Sequence, residues 1–109
     1  MIKDHLDLAA ARAERKRLQR AYSGLFEDLS ALLYRIDPMG INFEVNPDEY
    51  DAEVGTILPR VLQLETASEI QQVIREEFVR WFGTCPIEAA TYQELATETL
   101  EVLSRYRLR

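Results

Sequence analysis

One cysteine, Cys85, stands in a chain of 109 residues, so no internal disulfide can form and nothing points to an oxidising compartment. One histidine, His5, has no second histidine near it and only that distant cysteine to pair with. Neither a zinc set nor a nucleophilic dyad can be assembled from them. Glycine is equally scarce: Gly24, Gly40, Gly55 and Gly83 are too scattered to form a phosphate cradle, and no Gly-x-Gly-x-x-Gly, P-loop or Gly-x-Ser-x-Gly pattern occurs. No cofactor and no metal are therefore expected, and no residue is assigned a catalytic role. Runs of about 18 apolar residues are missing, and the charges of Lys3, Asp4 and Asp7 stand where a signal peptide needs an apolar centre. Membrane spanning and secretion are not expected; a cytoplasmic location is.

Positive charge is the minority sign. Nineteen acidic against thirteen basic residues give a formal net charge of −6, a balance that repels nucleic acid and anionic lipid and favours basic partners. The excess is uneven. The first 20 residues hold six basic and three acidic side chains, whereas residues 37–77 hold ten acidic and two basic. With 47% hydrophobic and 29% charged residues the composition is that of one globular domain, too small for a multidomain enzyme.

Apolar residues recur with helical spacing. Leu18, Tyr22, Leu25, Leu29, Leu32 and Ile36 follow steps of four and three, with Phe26 and Leu33 beside them, which predicts one long amphipathic helix. Upstream, Leu8 and Ala11 share its projected face, but Glu14 and Arg15 interrupt it. Residues 1–17 are read as a helical arm and 18–109 as a single helical domain. Pro38 pushes Asp37 out of the helical region and Gly40 permits a reversal, so the first helix should stop at Ile36. Ile41, Phe43 and Val45 suit an extended segment laid over the core. Asn46-Pro47-Asp48-Glu49 reads as a capping box with Val45 and Tyr50 as its staple, opening a second helix that carries Tyr50, Val54, Ile57, Leu58 and Val61 and ends near Leu64, with Pro59 kinking or shortening it. Thr66-Ala67-Ser68-Glu69 is another capping box. It opens a third helix bearing Ile70, Val73, Ile74, Phe78, Trp81 and Phe82, which Gly83 ends. A fourth helix presents Tyr92, Leu95, Ala96, Thr99, Leu103 and Tyr106. The predicted fold is all-α: an antiparallel four-helix bundle with a longer first helix.

Asp37-Pro38-Met39-Gly40, followed by Pro47-Asp48-Glu49-Tyr50-Asp51-Ala52-Glu53 and by Phe82-Gly83, resembles the signature of a family of small all-helical bacterial proteins of unknown function. The resemblance covers roughly residues 25–105. It implies a compact helical fold, brings no catalytic residues to carry over, and admits a toxin-immunity setting.

Asp48, Glu49, Asp51 and Glu53 form the densest acidic group. Acids in a first turn complement the helix dipole and cap backbone donors, which is one role for them. The other is a negative, partner-binding patch. Glu49 and Glu53, one turn apart, would hold a divalent cation only if Glu76 and Glu77 arrived from the third helix, an arrangement that resembles the all-helical nucleoside triphosphate pyrophosphohydrolases. Tyr50 is expected in the core with Asp37 as a partner for its hydroxyl, and Asp37 is also suited to an Asx turn. Arg12, Arg15, Lys16, Arg17 and Arg20 make the arm basic, but Glu14 interrupts them and no aromatic ring is present to stack on bases, so nucleic acid is not the expected partner. The functional expectation is a small acidic, non-enzymatic protein-binding module, an immunity or inhibitor protein for a basic partner. The alternatives are a carboxylate-metal phosphohydrolase and a structural domain that forms a homodimer through the N-terminal arm.

Overall fold

A computed structural model describes residues 8–38, 50–83 and 88–107. These residues form α1 (Leu8–Ala21), α2 (Ser23–Ile36), α3 (Asp51–Val61), α4 (Ala67–Phe82) and α5 (Ala89–Arg107), with no strand among them. The described residues are all-helical, as expected, but form five helices where four were predicted. The extra one comes from the long first helix, which is broken at Tyr22. There φ is −132° and ψ is 44°, and the helix resumes at Ser23 with no side-chain cap. Tyr22 keeps its backbone bonds to both neighbours, donating to Leu18 O at 2.8 Å and accepting from Phe26 N at 2.7 Å. The break is thus a bend within one helical path. It turns the apolar stripe at that point, leaving Tyr22 exposed while Leu18 and Leu25 on either side are buried. The predicted boundary between arm and domain at residue 17 also falls inside α1.

Other helix ends follow local chemistry. α2 stops at Ile36 because Asp37 adopts φ 51°, ψ 58° and donates its N–H to Leu33 O. Left-handed backbone is uncommon for a residue with a side chain, so this end departs from the extended geometry that usually precedes proline. α4 opens on Thr66, whose Oγ accepts from Glu69 N at 3.2 Å and donates to the Glu69 carboxylate at 2.9 Å, and closes on Gly83 at φ 77°. Both were legible. α3 begins at Asp51 with Tyr50 as N-cap and no side-chain cap, and ends at Val61, short of Leu64. The predicted capping box at 46–49, the extended segment 41–45, His5 and Cys85 lie outside the described residues.

α2 and α3, α3 and α4, α4 and α5, and α5 and α2 pack side by side, while α1 packs on α3 and α2. Hydrogen bonds set the directions. Tyr106 reaches Asp28 and Arg35 reaches Glu98, so α5 runs antiparallel to α2. Trp81 reaches Thr56 and Arg60 reaches Glu77, so α4 runs antiparallel to α3. The core between these helices holds Phe26, Leu29, Leu33, Tyr50, Val54, Leu58, Ile70, Ile74, Phe78, Leu95 and Leu103. Each such side chain contributes about 1.5–3 kcal/mol on burial. Phe78 lies nearly parallel to Tyr50 at 6.4 Å and edge-on to Phe82 at 5.6 Å, geometries that aromatic quadrupoles favour. Among the described residues no helix is long and apolar enough to cross a membrane.

Candidate functional site

An open groove of about 400 Å³ lies where α1, α2 and the start of α3 meet, lined by Gln19, Ser23, Phe26, Glu27, Ser30, Ala31 and Asp51. The three helices supply different parts. α3 begins at Asp51, which sets its carboxylate in the first turn, where the helix dipole favours negative charge. α2 brings Ser30, buried beside its apolar face, and the Ser30 hydroxyl donates to Asp51 Oδ1 at 2.6 Å. From α1, Gln19 Nε2 donates to Asp51 Oδ2 at 3.4 Å. Two donors from two helices thus fix the orientation of one half-buried carboxylate, and Glu27 places a second, exposed carboxylate on the rim of the same groove.

The four residues of the expected acidic patch do not share one environment. Asp51 lies in this groove. Asp48 and Glu49 lie outside the described residues. Glu53 is only 6% exposed, so it cannot contribute to a solvent-facing patch as expected. The reason is that α3 packs against α1, α2 and α4 at once, which leaves little of its circumference to water. Tyr50 is fully buried and donates to Asp37 Oδ1 at 2.8 Å, the core role expected of it.

The carboxylates on α4 are engaged by arginines. Glu77, fully buried, accepts from Arg60 at 2.8 Å and from Arg80 at 3.0 and 3.1 Å, while Arg60 also reaches Glu76 at 2.6 Å. The Arg60 hydrogen bond, aided by Gln72, holds Glu76 below the usual carboxylate range. The same bond, together with the one to Glu77, raises Arg60 above its ordinary value. Among the described residues no three histidine, cysteine or carboxylate side chains gather in a way that would hold a metal ion.

Sequence reading missed Gln19, Ser23, Glu27 and Ser30 as site residues. One signal was present: Phe26, Ser30 and Leu33 follow helical spacing, so a serine sits in line with apolar neighbours. Its partner on another helix left no trace in the pattern. No family model, curated protein or solved structure matches this chain.

Proposed function

We propose that this chain is a non-enzymatic protein-binding module that receives a basic side chain of a partner in the α1–α2–α3 groove. The observation that carries this reading is the pairing of Asp51, oriented by Ser30 and Gln19, with Glu27 in one groove. Two carboxylates there suit a lysine or arginine, and charge-assisted hydrogen bonds to an oriented carboxylate are stronger than neutral ones. The volume accommodates such a side chain, and the net charge of −6 steers a basic partner towards it. Asp48 and Glu49 precede Asp51 in sequence. An immunity or inhibitor role for a basic enzyme, and kinship with the small helical bacterial family whose signature residues 37–53 resemble, belong to the same proposal. So does the bundle reading of the fold, which the ring of α2, α3, α4 and α5 supports, with α1 laid on its α2–α3 edge.

The phosphohydrolase alternative draws less support, because Glu76 and Glu77 are already committed to Arg60 and Arg80. The test is titration of isotopically labelled protein with a short arginine-rich peptide, followed by amide chemical shifts. Shifts are expected at Gln19, Ser23, Ser30 and Asp51, weakening with salt. Glu27→Gln with Asp51→Asn is expected to lower affinity about tenfold. Shifts spread over Glu94 and Glu101 on α5, with the same affinity in the double variant, would reject the groove.

A further inference from the structure

We infer that α1 is an exchangeable arm: the chain straightens at Tyr22, and α1 of one copy seats on α3 of a second copy in place of that copy's own α1. The inference does not require the groove to bind a partner.

Four observations converge on it. The sequence carries one unbroken helical stripe through the bend, Leu18, Tyr22, Leu25 and Leu29. The bend has no side-chain cap to hold it, and Tyr22, whose spacing belongs to the apolar face, is exposed there. A straight helix through residue 22 returns the tyrosine to that face. Next, α1 packs only on α3 and α2, whereas α2, α3, α4 and α5 close a ring without it. It can therefore leave as a unit. Leu18 is its one buried residue, and its contacts with α3 include the Gln19–Asp51 hydrogen bond and the close approach of Arg15 to Gly55. Finally, open space of about 420 Å³ flanks the bend, bordered by Tyr22, Gly24, Leu62, Leu103 and Tyr106, so straightening does not have to displace packed core.

The two 14-residue helices joined through Tyr22 would measure about 44 Å. The longest dimension of the molecule is 38 Å. A straightened helix therefore projects beyond its own body, where only another molecule can cover α1. The contacts it makes there are those it gave up, so the exchange turns on the bend and on protein concentration.

Gly55 offers a direct readout. A Cβ at Gly55 would lie 3.1 Å from Arg15 Cβ, close to the separation a disulfide spans after a small adjustment. In the full chain carrying Cys85→Ser, Arg15→Cys and Gly55→Cys, protein refolded dilute and then oxidised is expected to form the bond within one chain. Refolded concentrated, it is expected to run as a covalent dimer on a non-reducing gel. Links that stay within each chain at every concentration would overturn the inference, whether or not light scattering finds a dimer.

Discussion

Glu77 has no side-chain surface in contact with water, yet its partners Arg60 and Arg80 are about 40% exposed. That asymmetry decides which partner is missed more. Without Glu77 both guanidinium groups can turn to solvent, whereas without the arginines a carboxylate is left buried and uncompensated. Arg60→Ala combined with Arg80→Ala is therefore expected to cost about 3–5 kcal/mol of stability. Glu77→Met, which fills similar volume with apolar atoms, is expected to cost less than about 1.5 kcal/mol. Urea unfolding followed by circular dichroism measures both. Equal losses would mean that the bridge itself, and not the avoided burial of a lone charge, holds α3 to α4.

α3 shows how an element is shaped from outside its own sequence. Pro59 lacks a backbone donor, yet it lies inside the helix, which runs on past it to Val61. The carbonyls left at that end are met from the far end of the chain: Arg107 Nη2 donates to Leu62 O at 2.8 Å and also reaches Leu64 O. Cationic groups are favoured at helix C-termini. Arg107→Ala is expected to lower stability by about 1–2 kcal/mol, and thermal unfolding of the variant checks it. A loss below a few tenths would assign those carbonyls to water.

What was legible divides along the same line. Residues predicted to face the core on α3, α4 and α5 do so, from Tyr50 and Val54 through Ile70 and Phe78 to Leu95 and Leu103, because spacing alone decides which side of an amphipathic helix is apolar. Thr66, Gly83 and the stop after Ile36 were legible because caps act within a few residues. Glu53 was misplaced because a projection assumes one buried side, and α3 is covered from three. Tyr22 was misplaced because the apolar spacing runs on unbroken past Ser23-Gly24, a pair at which helices bend. The groove at Asp51 depends on Ser30 and Gln19, 21 and 32 residues away in sequence, separations at which no local pattern speaks.

At the scale of the molecule, charge is divided by helix. α1 carries Arg12, Arg15, Lys16, Arg17 and Arg20 against Glu14 alone, and it is the one helix lying outside the ring of the other four. Arg17 is bound to Glu14 at 2.8 Å, and that hydrogen bond holds Glu14 below the usual carboxylate range. Arg12, Lys16 and Arg20 remain an exposed cationic row. On an acidic chain such a row is a local inversion of sign.

The ring also sets the order in which the chain can assemble. α3 with α4 and α4 with α5 are neighbours in sequence, but the α2–α5 contact is made across a separation of 78 residues where Tyr106 donates to Asp28 at 2.6 Å. Closing so long a loop is entropically expensive and is expected after the local pairs have formed. Tyr106→Phe should then speed unfolding about three- to tenfold and leave the folding rate within about twofold, as stopped-flow chevrons would show. On this account the seam between α2 and α5 is where the molecule first comes apart, and the Tyr106–Asp28 and Arg35–Glu98 pairs along it bear on its lifetime as a folded protein.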